Sequence, residues 1–338
     1  MRIGFTYDLR RDYLQMGYTE EETGEFDSDE TIQLIEETIR GLGHDVIRIG
    51  NIFSLTERLA AGETWDIVFN ITEGLHGRSR EAQVPALLEA YTIPYTFSDP
   101  LTLALSLDKA MTKSMVRDAG IPTPDFFIVT SLEALKAEKK DRKIGYPLFV
   151  KPLAEGTGKG VTPESIVHHR KELTAQCRRL LSRYGQPVIV ESYLPGREFT
   201  VGILGTGESA RAVGVLEVEL LESADPLVYS FLNKEFCEER VRYTLVLDHS
   251  IIEEASDIAL RSYRVLGCRD AGRIDLKADG QGRLHFLEAN PLAGLHPTHS
   301  DLPILCSQAG LPYPELLNEI IQSALKRRVF FNEKRQQI

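Results

Sequence analysis

Residues 271–291 read AGRIDLKADGQGRLHFLEANP, and this stretch restricts what the chain can fold into more tightly than any other. Two short strand-like segments flank a polar turn containing Asp279-Gly280, a pair suited to a hairpin because both residues tolerate positive φ. Side chains alternate between the faces of a strand, so Arg273 shares a face with Asp275, and Glu288 shares one with Asn290. Pairing the two strands brings two carboxylates, one amide oxygen and one guanidinium to the same sheet end. Asp, Glu and Asn are hard oxygen ligands of the kind Mg²⁺ takes when it bridges nucleotide phosphates. An arginine beside them suits a developing oxyanion. An ordinary surface hairpin could carry the same residues satisfied by water. The run FLEANP speaks for the functional reading, because apolar residues lead straight into the acid and the amide, where burial without a cation is costly.

A second constraint is the glycine-rich run EGTGKGVTPES, Glu155 to Ser165, which starts two residues past YPLFVKP. It is not a Walker A loop, which needs Gly, four residues, then Gly-Lys-Ser/Thr; here Gly158-Lys159 is followed by Gly160. The spacing of Gly156, Gly158 and Gly160 does not fit the dinucleotide fingerprint either. What remains is a loop whose backbone N–H groups can wrap an anion, or a flexible surface turn. Lys151 ends the preceding apolar strand and would deliver its ammonium toward that loop as a phosphate contact. Lys109 in SLDKAMTK reads equally as a phosphate contact or as the exposed face of an amphipathic helix. In VIVESYLPGREFTV, the backbone of Glu191, Ser192, Tyr193 and Leu194 could meet an adenine edge, and Glu198 could take ribose hydroxyls. A plain strand–turn–strand is the alternative there.

Between these landmarks the chain alternates strands and helices. RIGFTY, HDVIRIG and WDIVFNI read as strands separated by helices, predicting parallel βαβ units over the first ~95 residues. The polar run LQMGYTEEETGEFDSD reads as a loop, and the helix carrying Ile32, Ile35 and Ile39 is capped by Asp27 or Ser28. YTIPYTFSDP marks a boundary. The expected class is therefore α/β with α+β character, in three parts: an N-terminal α/β domain at 1–97, a central subdomain at 98–190 and a C-terminal subdomain at 191–338. A net charge of −11 argues against nonspecific binding to nucleic acid or to an anionic membrane. No apolar run approaches the roughly 18 residues of a membrane span. The four cysteines lack a C-x-x-C pair, so reduced thiols in a cytoplasmic protein are expected rather than zinc or disulfides.

Taken in order, SLDKAMTK, PLFVKPLAEGTGKG, VIVESYLPGREFTVGILG, AGRIDLKADG and FLEANPLAGLHPTHSDLP resemble the ATP-grasp superfamily, most of all its D-alanine–D-alanine ligase branch. The likeness runs from GLHGRSRE near residue 74 to the final helix. It implies an ATP-grasp fold with a Rossmann-like N-terminal domain and ATP held between two α+β subdomains. It further implies that Lys109 and Lys151 hold phosphates and that the loop formed by Glu155, Gly156, Thr157, Gly158 and Gly160 closes over them. Glu191, Ser192, Tyr193 and Leu194 would hold adenine, and Glu198 the ribose. Asp275, Glu288 and Asn290 would bind two Mg²⁺, with Mn²⁺ an alternative. Arg273 would stabilise the tetrahedral intermediate, Lys234 would come from the mobile second-substrate loop, and His76 would sit near the first amino acid. Ser300 would help hold the second substrate's carboxylate, or simply cap a helix. A homodimer is typical of that family.

The reaction so implied is ATP-dependent ligation of a carboxylate to an amine through an acyl phosphate, with small amino acids or peptides as substrates. An ATP-grasp ligase making a different dipeptide or amide is the nearer alternative, and a nucleotide-binding regulator without catalysis the more distant one. The departures from the family's pattern fall on substrate recognition. The family's Glu after the first strand, which binds the first substrate's ammonium, has no clear equivalent in YDLRRDYLQMGYTEEETGEFD. Glu21, Glu22 and Glu25 are candidates, though a charge run is equally a solvated face. Thr157 stands for the family's serine, Gly158 and Lys159 are atypical, and Glu235 replaces the tyrosine expected after Lys234.

Overall fold

In the computed structural model, residues 1–137, 144–225 and 227–335 are described. The N-terminal layer comprises β1 (Arg2–Thr6), α1 (Arg10–Gln15), α2 (Asp29–Gly41), β2 (Asp45–Gly50), α3 (Ile52–Ala60), β3 (Ile67–Asn70) and α4 (Gln83–Ala90). Its three strands are parallel in the order β2-β1-β3, as the strand–helix alternation predicts. Ser28 caps α2 by accepting the Thr31 N–H at 3.1 Å, and Ile32, Ile35 and Ile39 turn one buried face onto the sheet. The start of the polar run is not irregular, because Leu14 and Gln15 end α1, whose Tyr13 is buried against Phe26.

The chain continues through α5 (Pro100–Leu107), α6 (Lys109–Asp118), β4 (Phe126–Val129), α7 (Leu132–Ala137), β5 (Leu148–Pro152), β6 (Ile166–Val167), α8 (Arg170–Tyr184) and β7 (Val188–Ser192). These strands form an antiparallel sheet in the order β4-β7-β5-β6. Then come β8 (Glu198–Leu204), β9 (Arg211–Leu220), α9 (Phe231–Glu235), α10 (Cys237–Arg240), β10 (Val241–Leu245), α11 (His249–Val265), β11 (Ala271–Ala278), β12 (Leu284–Asn290), α12 (Asp301–Gln308) and α13 (Tyr313–Arg335). The third sheet is antiparallel with order β10-β9-β8-β11-β12. The fold is mixed α/β, as expected.

The segment around Lys234, read as a polar loop, instead folds as α9 and α10. Ser230 caps α9, accepting the Asn233 N–H at 3.2 Å, and the buried Asn233 amide donates to the carbonyls of Asp225 and Val228. A buried side chain bonded on several sides fixes a local turn that no hydrophobic period announces. No helix among the described residues is long and apolar enough to cross a membrane.

Candidate active site

The β11–β12 hairpin forms, and its register, with a shift after Asp275, sets Arg273 opposite Asn290 and Asp275 opposite Glu288. Asp275 accepts from Thr200 Oγ1 at 2.7 Å, from Arg273 Nη1 at 2.9 and 3.0 Å, and from Asn290 Nδ2 at 3.1 Å. The guanidinium of Arg273 also reaches Asp301 at 2.8 Å, so it is held between two acids. Burial raises the Asp275 carboxyl above its usual range, with Arg273 opposing and Glu288 adding to the rise. Burial would raise Glu288 as well, but Lys109, Lys151, Lys234 and Arg273 outweigh it and keep Glu288 strongly acidic. Two facing carboxylates and an amide oxygen at one sheet end form a donor set that fits a hard divalent cation.

Across from the hairpin, a cluster of lysines surrounds Glu191. β5 and β7 are paired, and Lys151 Nζ lies 3.2 Å from Glu191 Oε2 while Lys113 Nζ lies 2.9 Å from Glu191 Oε1. Glu191 is buried, yet the two lysines hold it below the usual carboxylate range. Lys113 is fully buried and burial pulls it down to about 8, against the pull of Glu191. It also donates to Thr123 Oγ1 at 3.2 Å and to the Phe286 carbonyl at 3.4 Å, which ties α6 to β12. Lys109, the first residue of α6, donates to the Glu155 carbonyl at 2.6 Å and lies 3.5 Å from Glu288. Lys109, Lys151, Glu155, Gly158, Glu191, Ser192, Tyr193, Leu194, Glu198, Lys234, Asp275 and Glu288 all line one cleft. Glu198 accepts from Lys277 at 2.6 Å on its wall.

The glycine loop is clamped from two sides. Glu25 of the N-terminal layer accepts the Gly156 N–H at 2.8 Å, Lys159 Nζ at 3.0 Å and Arg80 Nη2 at 3.0 Å. Burial opposes ionisation of Glu25, but Arg80 and Lys159 overcome it and keep the carboxyl well below its usual range. A side chain at Gly156 would collide with that carboxylate. On the other side, a Cβ at Gly158 would lie 2.8 Å from the Phe231 nitrogen, and Gly158 has φ of +68°. Gly160 lies outside both cavities, turned toward Pro152 and Tyr184.

Next to the cleft opens a cavity of ≈ 510 Å³, and Gly156, Thr157, Lys234, Arg273, Glu288, Asn290 and Ser300 are on its wall. Ser300 sits at the N-cap of α12, but its hydroxyl accepts the His296 N–H at 3.0 Å and caps nothing in the helix. His76 is not on that wall: it is exposed, with Nε2 3.3 Å from the Tyr18 hydroxyl. Arg10 pairs with Glu235 at 2.9 Å and joins α1 to α9. Glu21 pairs with Arg183 and Tyr184, and Glu22 bonds back to Thr19, so Glu25 alone of the three candidate acids reaches the glycine loop.

Comparison with known proteins agrees with this geometry. A family model described as the D-ala D-ala ligase C-terminus matches residues 115–322. A D-alanine–D-alanine ligase of Bordetella petrii is 34% identical over 272 residues, 80% of this chain and 79% of that protein. One from Gluconobacter oxydans is 33% identical over 296 residues, covering 86% and 92%. An uncharacterised protein, y4sG, of Sinorhizobium fredii is 33% identical over 271 residues, covering 80% and 77%. In fold, the chain is similar to the crystal structure of a Bacillus anthracis D-alanine–D-alanine ligase complexed with ATP, with a TM-score of 0.74, 22% identity and 99% of each chain covered.

Proposed function

The chain belongs to the D-alanine–D-alanine ligase family, and from that membership we propose that it is an ATP-dependent ligase that joins two amino acids through an acyl phosphate. The single observation that carries the reading is the convergence of Arg273, Asp275, Glu288 and Asn290 at one hairpin end, facing Lys109 and Lys151.

The placement of these residues supports the roles that the family resemblance implies. ATP would occupy the cleft, where the 191–194 backbone would hold adenine, Glu198 the ribose, and Lys109 and Lys151 the phosphates. Asp275, Glu288 and Asn290 would hold Mg²⁺, which would supply neutralisation of phosphate charge. The carboxylate of the first amino acid displaces ADP from the γ-phosphorus. The amine of the second then adds to the acyl carbon, and phosphate departs. Arg273, fixed between Asp275 and Asp301, presents a preorganised donor to the oxyanion of that addition. Lys234 and Ser300, on the wall of the larger cavity, take the second carboxylate. The closed glycine loop keeps water from the acyl phosphate, which hydrolyses readily.

Alanine as the substrate is the family's use; a different amino acid or short peptide is the second reading. It is favoured by Glu235 in place of the family's tyrosine and by the engagement of Glu25 with Arg80 and Lys159. A coupled ADP-release assay over D- and L-amino acids and dipeptides, with products identified by mass spectrometry, decides among these. If no carboxylate and amine pair stimulates ADP release above background, the ligase reading fails. Magnesium-dependent ATP binding without turnover under every pair would instead support a regulator.

A further inference from the structure

Beside the larger cavity, three side chains that the ligase reaction does not use point at one another. Cys237 and Glu238 are consecutive at the start of α10, and His299 lies just before α12. Their ligand atoms, the Cys237 sulfur, a Glu238 carboxylate oxygen and a His299 nitrogen, all lie within 4.8 Å of one another. His299 Nδ1 is 3.5 Å from Cys237 Sγ and 2.8 Å from Glu238 Oε1. Cys237 itself is buried, whereas Glu238 and His299 have exposed edges toward the cavity.

One nitrogen carries at most one proton, so Nδ1 can donate fully to the carboxylate or to the sulfur but not to both, and the thiol's other contact, to the His299 carbonyl, is long at 3.7 Å. A cation placed among the three satisfies all of them. A zinc ion sits about 2.3 Å from a thiolate sulfur and about 2.0–2.1 Å from an imidazole nitrogen, which at tetrahedral angles separates sulfur from nitrogen by about 3.6 Å. The observed separation is 3.5 Å. The carboxylate must swing outward by about half an ångström to reach its own ligand position, and its solvent-exposed side chain is free to do so.

We propose that Cys237, Glu238 and His299 form a site for a borderline divalent transition metal such as zinc, with a fourth coordination position open to the amino-acid cavity. The thiol gives up its proton to solvent as the metal binds. Hard Mg²⁺ does not compete for a thiolate and an imidazole, so this site and the nucleotide site take different ions. Its position gives it a consequence. The metal joins the segment that carries Lys234 and Glu235 to the turn that carries Ser300 and Asp301. Occupancy therefore fixes the two walls of the amino-acid cavity relative to each other.

Cobalt(II) titration of the chelator-stripped protein tests this directly. The expected result is a near-ultraviolet thiolate-to-cobalt charge-transfer band and tetrahedral visible bands that saturate at one equivalent and are displaced by zinc. Cys237→Ser removes the charge-transfer band while far-ultraviolet circular dichroism and Mg²⁺-dependent ATP binding stay as in the parent. Should Cys237→Ser fail to fold, Glu238→Gln at an exposed position serves instead, and lowers zinc affinity at least about tenfold in competition with a chromophoric chelator. Absence of the band in the parent protein, its survival in Cys237→Ser, or unchanged zinc affinity in Glu238→Gln overturns the proposal. The other three cysteines are buried away from this cluster and supply the internal control.

Discussion

Glu25 and Lys159 meet at 3.0 Å across 134 residues of chain, and their contact fastens the glycine loop to the N-terminal layer. Arg80 holds the same carboxylate from the other side. Removing one partner from such a buried group exposes the others to uncompensated charge, at about 3–5 kcal/mol. Glu25→Gln takes from Arg80 its bonded carboxylate, while Lys159 keeps Glu155 at 2.7 Å, so it is expected to lower stability by about 3 kcal/mol. Lys159→Met costs much less, because Arg80 still neutralises Glu25 and Gln186 still donates to Glu155 at 2.6 Å. Thermal melts of the two variants check the ordering; an equal loss in both would show that the contact with Lys159, not the charge of Glu25, is what matters.

Gly158 offers a sharper probe of loop closure. A Cβ there meets backbone at residues 230 and 231 and sits at a φ of +68°, so the strain has no flexible side chain to relieve it. Gly158→Ala is expected to hold the glycine loop away from the α9 segment, at a cost of about 1–3 kcal/mol. That corresponds to a loss of about tenfold or more in ligation. Because an open loop admits water, phosphate release should exceed dipeptide formed. A product-to-phosphate ratio that stays at one in this variant would separate the loop from water exclusion.

The hairpin was legible in the sequence because a period of two and an Asp-Gly turn are local signals. The clamp was not. Glu25 stands in a run of acids that reads as a solvated face, and its partners are distant in the chain. Lys113 is fully buried in the fold, but in KAMTK it looks like any helix lysine. The β7 carboxylate, the Thr123 hydroxyl and the Phe286 carbonyl, all distant in sequence or outside its helix, explain it. His299 and Cys237 are likewise separated by 62 residues, so their proximity is a property of packing alone. Local pattern finds elements and strand-end ligands; it does not find pairs closed by tertiary structure.

Asp27 gives a pH prediction. Burial, reinforced by nearby Asp8, pushes its carboxyl up to about 7, and no ion pair or hydrogen bond to its side chain occurs among the described residues. The folded state therefore binds a proton that the unfolded state has already lost between about pH 4 and 7. Stability from this group is present at the acid end and falls as pH rises through that window. Asp27→Asn should thus gain about 2 kcal/mol at pH 8 and almost nothing at pH 4. Denaturant midpoints at the two pH values measure the difference, and a gain equal at both would assign the effect to something other than ionisation.

Arg273 is the residue whose loss should separate binding from chemistry. Its Nη1 alone contacts both Asp275 at 2.9 Å and Asp301 at 2.8 Å, and the rigid planar fork holds further N–H donors in fixed positions that a single ammonium does not have. Arg273→Lys keeps the charge, but its one nitrogen is taken up by the two acids, so no further donor is fixed where the oxyanion is proposed to develop. Loss of one preorganised donor is worth about 10²–10³ in kcat. The KM for ATP should change little, because the proposed phosphate contacts are Lys109 and Lys151 rather than Arg273. Steady-state kinetics with varied ATP and a saturating amino-acid pair reads both quantities. A fall in kcat below tenfold, or a rise in the KM for ATP that accounts for the whole effect, would place Arg273 with the structural ion pairs of the hairpin instead of at the reacting carbon.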